Sequence, residues 1–341
     1  MWKYILKRIG LAVITAFIIL SLTYILIALL PPEKTPGLPQ ERIAYYDGEV
    51  RLGYLYRTEE PIEGLTPVDM VQNDGYVYYY YQVPVMQRYV KWLDNIFHWN
   101  WGVSQRILPN ISAMEIIGTR IVVSMKINIF AVIFSVPLGI ALGILAAMKK
   151  NSMLDHTIST SVMILISLPS FVIITFLMLL LCYNNQILPS KWPTPSADAS
   201  TKAAAYILPV FCLSLGSVCG YCRAVRAELC EVMESEYLLL ARTKGLTRRQ
   251  AIMRHALKNS MVPIFPSILA EFLGLFGGSM ILERLYSIPG IGSLFIDSIG
   301  AKDYNILFVD MALFTTIGLI AGVFLDISYS LIDPRIRMGE R

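Results

Sequence analysis

Residues 127–148 read INIFAVIFSVPLGIALGILAAM, a run without a single charged side chain. A helix needs roughly 20 apolar residues to cross the hydrocarbon core of a bilayer, so this stretch can span it unaided. Working outward, comparable uncharged runs occupy 9–30, 157–181 and 203–222. Residues 260–282 make a fifth, interrupted only by Glu271, and 304–332 a sixth that carries Asp310 and Asp326. Of the 341 residues 55% are hydrophobic and only 16% charged, whereas soluble domains carry about 25% charged residues. The expected architecture is therefore an all-α polytopic membrane protein with six transmembrane helices.

The first run has the basic start of a signal peptide (Lys3, Lys7, Arg8), but its apolar core is too long, and Pro31-Pro32 follows instead of a small-residue cleavage site. It is read as a retained span. Orientation follows from Lys and Arg in the short connections. With the N-terminus inside, the cytoplasmic segments hold Lys3, Lys7, Arg8, Lys149, Lys150, eight bases from Arg223 to Lys258, and Arg335, Arg337 and Arg341. The short outer loops hold only Lys191, Lys202, Arg284 and Lys302. Both termini are expected in the cytoplasm, and the net charge of +4 is mostly topology, with no argument for a nucleic-acid partner.

The expected organisation is a cytoplasmic N-terminus and first span (1–30), an extracytoplasmic loop or small subdomain (31–118), and a five-span core (119–341) with a cytoplasmic loop at about 223–260. The long loop is rich in tyrosine, and YVYYYYQVP resembles a strand. PVMQRYVKWLDNIF (84–97) places Val85, Tyr89, Trp92, Leu93 and Ile96 at helical spacing. That face would lie at the membrane interface or pack against the subdomain.

Three small-residue stripes, Gly139/Gly143, Gly216/Gly220 and Gly274/Gly278, would permit close helix contact. Pro137, Pro169 and Pro209 lie inside spans, where a missing donor favours kinks. Five cysteines cluster around spans three and four; Cys219-x-x-Cys222 has redox spacing, but its place at the cytoplasmic end of a span favours small apolar helix residues. A charge at bilayer depth is costly and usually faces protein or water, so Glu271, near the middle of span five, either borders a translocation pathway or holds a structural hydrogen bond.

The polar insert at 236–263 reads EYLLLARTKGLTRRQAIMRHALKNSMVP. From Ala227 to Thr243 acids come first and bases last, the order a helix dipole favours. Gly245 suits a left-handed C-terminal cap, and Thr247-Arg248-Arg249-Gln250 fits a capping box. Helix, glycine corner and short helix make an elbow below the membrane. As a helix-turn-helix it would need DNA, yet both flanks enter the bilayer. A loop snorkelling to acidic headgroups and a docking lever for a cytoplasmic partner both fit its composition.

The pattern E-Y-x-x-x-A-R-x-K-G-L, then H-A-L-x-N and Pro263, resembles the cytoplasmic signature loop of ABC importer permeases, and more narrowly the oligopeptide, dipeptide and nickel permease group. WKYILKRIGLAVITAFIILSLTYILIALLP, PVMQRYVKWL…WNWGVS, RIVVSMKINIFAVIFSVPLGIALGILAAMKKNSMLDH, LPSFVIITFLM, LERLYSIPGIGSLFIDSIGAKDYN and DISYSLIDPRIR are similar to that group too, which covers nearly all of the chain outside about 33–83. Leu239-Leu240-Ala241 stand where the general importer motif begins Glu-Ala-Ala, and the first outer loop is longer than is usual in the group.

The resemblance implies a type I ABC importer permease fold in a bacterial inner membrane, acting as the first of two paralogous permeases in a heterodimer. It implies two ABC ATPase subunits that bind ATP and Mg, a solute-binding protein that delivers oligopeptides, and no cofactor on this chain. It makes Glu236, Ala241, Gly245, Leu246, Arg249, Ile252 and Leu257 the residues of ATPase coupling. Nickel or another small solute as cargo, and a secondary transporter, are the alternatives. The chain has no Gly-Lys dipeptide and so no P-loop, no H-E-x-x-H or G-x-S-x-G, and three scattered histidines, so it is not expected to be an enzyme.

Overall fold

The computed structural model describes residues 2–31, 34–73 and 75–332. Arg335, Arg337 and Arg341 of the orientation argument, the DPRIR ending, Pro32 and the side chain of Lys3 lie outside the described part. In chain order come α1 (Trp2–Ala28), α2 (Pro39–Arg51), strands β1 (Leu55–Thr58), β2 (Asp69–Asn73) and β3 (Tyr76–Gln82), and α3 (Val85–Phe97). Next are α4 (Ala113–Met148), α5 (Met153–Ser167), α6 (Ser170–Met178) and α7 (Ala199–Met233). Then follow α8 (Glu236–Thr243), α9 (Arg248–Ala251), α10 (Leu257–Ser260), α11 (Phe265–Leu273), α12 (Met280–Leu285), α13 (Ile291–Ala301) and α14 (Tyr304–Ile332).

Among the described residues four helices are long and apolar enough to cross a membrane: 5–28 of α1, α4, α7 and 304–328 of α14. Two bent helix pairs pass the same test of length and composition when each is taken together, Met153–Ser167 with Ser170–Asn184, bent by 96°, and Arg248–Ser260 with Phe265–Phe276, bent by 54°; the first half of the second pair belongs to the insert described below. Counting each pair once gives six. The third and fifth runs are thus not the straight helices their composition suggests, and proline accounts for both breaks. Leu168, ahead of Pro169, is held extended (ψ 131°), as the ring of a following proline requires. Pro266 opens α11, where its missing N–H costs nothing. Pro137 and Pro209 lie within α4 and α7, which continue past them.

The chain divides into two compact units, one of residues up to 122 with 291–320, the other of 123–290 with residues from 321 on. In the first, the tyrosine run is the central strand of an antiparallel sheet of order β1-β3-β2, so the fold is helical with one small sheet. Alternation sorts its rings. Tyr80 is fully buried and stacks on Tyr46 of α2, while Tyr81, on the other face, stacks on Tyr56. Helix α2 has no apolar periodicity to announce it; Pro39 starts it and the Glu41 carboxylate accepts the Leu38 N–H at 3.1 Å.

The apolar face of α3 packs inward. Trp92 stacks on Tyr24 of α1 at 4.5 Å, and the Tyr89 hydroxyl donates to Ser21. Arg88 donates to the Ala28 carbonyl at 2.9 Å, a cation at the C-terminal end of α1. Asp303, just ahead of α14 and fully buried, accepts from the Ser104 hydroxyl and the backbone N–H groups of Gln105, Arg106 and Ile107. One carboxylate thereby ties the WGVS segment to the KDYN segment, two stretches nearly 200 residues apart.

In the second unit α4 and α7 meet on the first glycine stripe. A Cβ on Gly139 would lie 2.7 Å from Tyr221 Cβ and 2.9 Å from the Val218 carbonyl; one on Gly143 would lie 2.7 Å from Val225 Cβ and 2.8 Å from the Cys222 carbonyl. Gly216, Gly220 and Gly274 have nothing within 4 Å of that position, so they make no such contact within this chain. All five cysteines are buried and unpaired with one another, Cys219 and Cys222 packing on Val162. Gly143→Ala is expected to lower the thermal unfolding midpoint of the detergent-solubilised chain by several degrees, whereas Gly220→Ala leaves it within about 1 °C.

Candidate functional site

The insert after α7 begins with a break that the charge order conceals. The helix expected over 227–243 is two helices, because Ser235 is extended (φ −73°, ψ 147°) between α7 and α8. Glu228 and Glu231 consequently sit at the C-terminal end of α7, against the dipole, and only Glu236 and Arg242, at opposite ends of α8, follow the favoured order. Glu234, capping α7, pairs instead with Lys150, which keeps its carboxyl below the usual range.

Beyond α8 the corner forms as its residues dictate. Gly245 has φ +93°, a conformation L residues rarely adopt, although nothing lies within 4 Å of where a Cβ would point. The Thr247 hydroxyl accepts the Gln250 N–H at 3.3 Å and Gln250 Oε1 accepts the Thr247 N–H at 3.1 Å, a complete capping box. From α9 the backbone widens into a π turn over Ile252–Ala256 before α10.

One face of this elbow is anchored. Leu238, Ala251, Ile252 and Ala256 are buried with Ala147 at the end of α4 and with Leu229 and Cys230 of α7, and Leu246 packs on the same cluster. Ile252, only 2% exposed, packs against the elbow's base and also borders the cleft between α8 and α9. Leu246, Ala241 and Leu257 are half-buried; Glu236, Gly245 and Arg249 are exposed.

The outward apolar groups are others. Leu239 and Leu240 of α8 are 62% and 57% exposed, and Met253 is 50% exposed. Tyr237 is exposed too, and these apolar groups of the elbow alternate in sequence with the exposed Arg242, Arg248 and Arg249, which together are called its rim. A cleft of about 400 Å³ bordered by Glu236, Leu239, Arg242 and Arg248 opens between α8 and α9. Leu239-Leu240 stood in the sequence as a departure from the general importer motif; on a short helix already committed to Leu238 inward, two further leucines had to point out.

Glu271 lies apart from this group, on α11. It accepts from the Ser135 hydroxyl at 3.1 Å and from the Tyr221 hydroxyl, and it is half-buried. It also borders a cleft of about 400 Å³ with Ser217, Gly220, Glu228 and Ser267. Glu271 is thus hydrogen-bonded and also borders an open cleft whose wall is apolar for the larger part. A second acid had no sequence signal beyond the S-x-x-D of an N-terminal cap: Asp155, 1% exposed, takes a two-pronged bond from Arg226 at 2.6 and 2.8 Å, clamping α5 to α7.

Residues 139–338 match the family described as the binding-protein-dependent transport system inner membrane component. The chain belongs to that family. It is a multi-pass membrane protein of a transport family. It is similar over its whole length to the dipeptide transport system permease protein DppB of Lactococcus lactis subsp. cremoris, at 32% identity over 99% of this chain and 100% of that one. The oligopeptide transport system permease protein OppB of Salmonella typhimurium is 29% identical over 99% and 100%. Among solved structures, a chain of the inward-facing MetNI methionine ABC transporter superposes with a TM-score of 0.52 at 14% identity, over 64% of this chain and 97% of that one. That likeness concerns the fold alone, which is the type I permease fold expected from the resemblance.

Proposed function

We propose that this chain is the membrane-embedded permease of an ATP-driven importer of peptides. It pairs with a related permease, takes peptide from an extracytoplasmic solute-binding protein and couples to two ATPase subunits that carry ATP and Mg. Full-length similarity to dipeptide and oligopeptide permeases supports peptide as the cargo. The observation that carries the coupling reading is the elbow itself, a π-widened, capped helical corner buried on one face and bearing Leu239, Leu240 and Met253 on the other.

Such an element transmits force because its base is fixed. An exposed apolar rim flanked by arginines suits a groove on a partner protein, the helix-in-groove mode of recognition. A loop that only snorkels to headgroups has no use for a buried inner face. The bases on this segment and near the N-terminus support a cytoplasmic elbow and cytoplasmic termini in a bacterial inner membrane. On this reading ATP binding draws the ATPases together, the elbow moves with them, and the α4–α7 pair tilts to switch the cavity between its two openings.

Glu271 then sits on the translocation path, where its carboxylate can meet the charged parts of a peptide. Two outcomes test the account. Gly245→Val, which forces a β-branched residue into φ +93°, is expected to abolish ATP-coupled peptide uptake at normal membrane expression; unchanged uptake refutes the lever. Glu271→Gln is expected to change the preference between acidic and basic peptides several-fold in transport assays, and identical profiles leave Glu271 a structural hydrogen-bond acceptor.

A further inference from the structure

The unit that contains the sheet holds an open cavity whose wall is polar and apolar in equal part. It is a cavity of about 140 Å³ bordered by the end of α1, by α2 and α3, and by the start of α14. For scale, an engineered cavity of about 150 Å³ admits a benzene molecule. Among the described residues the charged side chains that border it are Glu49 of α2 and Arg88 of α3. Tyr24, Tyr45, Tyr54 and Tyr304 contribute to its wall.

Glu49 is 8% exposed, and among the described residues its side chain accepts a hydrogen bond from the Asn305 amide at 3.2 Å. Among the described residues no cation reaches ion-pair distance of its carboxylate. Arg88 acts on it only from further away and spends one guanidinium nitrogen on the Ala28 carbonyl. An ionised carboxylate buried without a cation is costly. Here the cost shows as a carboxyl pushed up to about 7 by burial, with Asp303 adding repulsion and Asn305 and Arg88 opposing it.

Burial also raises the Tyr45 and Tyr54 phenols well above their usual range, so both stay neutral. Glu49 is therefore the group of this wall, among Tyr45, Tyr54, Arg88 and itself, that changes charge near neutral pH. Aromatic faces and a lone carboxylate are the two features that recognise an ammonium group. Arg88 at the same cavity suits an anionic group on the same ligand.

We infer that this cavity is a binding site for a small zwitterionic amine the size of a free amino acid, with its ammonium on Glu49 and its anionic end toward Arg88. The site uses none of the residues assigned to the transport pathway above and does not depend on peptide being the cargo. A ligand there would bridge α2, α3 and the outer ends of α1 and α14 within this unit. Occupancy would thus report amine concentration to two membrane spans, a means of regulation.

The test is calorimetric titration of L-alanine into the full-length chain in phosphatidylcholine nanodiscs, alongside N-acetyl-L-alanine, which lacks the ammonium. The expected result is saturable L-alanine binding, at least tenfold weaker for the acetylated probe and at least tenfold weaker for Glu49→Gln. Ligand affinity in the wild type should fall by up to tenfold per unit as pH drops below 7, because the protonated carboxyl no longer attracts the ammonium. That profile needs no variant and stands even if Glu49→Gln unfolds. Absent binding, equal binding of the two probes, pH-independent affinity between 5 and 8, or unchanged affinity in a folded Glu49→Gln each overturns the assignment. So does binding of phosphatidylethanolamine without any binding of L-alanine, which would make the cavity a lipid headgroup site.

Discussion

The structure of the candidate coupling region depends on a single patch of apolar packing. Leu238, Ala251, Ile252 and Ala256 close on Ala147, Leu229 and Cys230, where α4 and α7 end. Four of these seven, Ala147, Leu229, Ala251 and Ala256, have no exposed surface at all, and three of those four are alanines. Small side chains let the helices approach until Ile252 fills the remaining space, and truncating such an isoleucine typically costs about 2–5 kcal/mol. Without that patch the elbow would be a basic loop on a hinge. With it, displacement of α8 and α9 must also displace the ends of two spans.

The same two spans are set against one another further along by Gly139 and Gly143. Their Cα positions approach the α7 backbone so closely that a methyl group has no room. Asp155 and Arg226 add a buried polar clamp from α5 to α7. Such a pair is weak evidence for stability but strongly specifies geometry, since either partner alone would be left uncompensated. Apolar closeness and a charged clamp together make α4, α5 and α7 one body, as a lever's mounting must be. In the other unit Asp303 plays the comparable part by gathering four donors of the 104–107 segment.

What was legible in the sequence is what local chemistry decides. Uncharged runs gave the spans, Gly245 the corner, and Thr247 with Gln250 the second helix start, because each needs only neighbours a few residues away. The strand at the tyrosine run was legible for the same reason. Long-range choices were not. Nothing local says that Gly139 and Gly143 meet a neighbour within the chain while Gly216 and Gly220 do not, or that Asp155 finds Arg226 71 residues on. The break at Ser235 was hidden by a charge gradient that the end of α7 and the short α8 satisfy only in part. That Ile252 turns in while Leu239 and Leu240 turn out was hidden because Leu238, Leu239 and Leu240 follow one another on α8 and Ala251, Ile252 and Met253 run into the π turn, so no local pattern chooses among them.

Whether the elbow's apolar rim meets an ATPase is the central claim, and proximity tests it most directly. The five native cysteines are all buried, so single cysteines introduced at the rim give a low background. Leu239→Cys and Leu240→Cys, labelled in membranes with benzophenone-4-maleimide and irradiated, should link to the ATPase subunit of the same transporter in high yield. Met163→Cys, at an exposed position on α5, should not. Failure of both rim cysteines to link, or equal linking at position 163, would contradict the account.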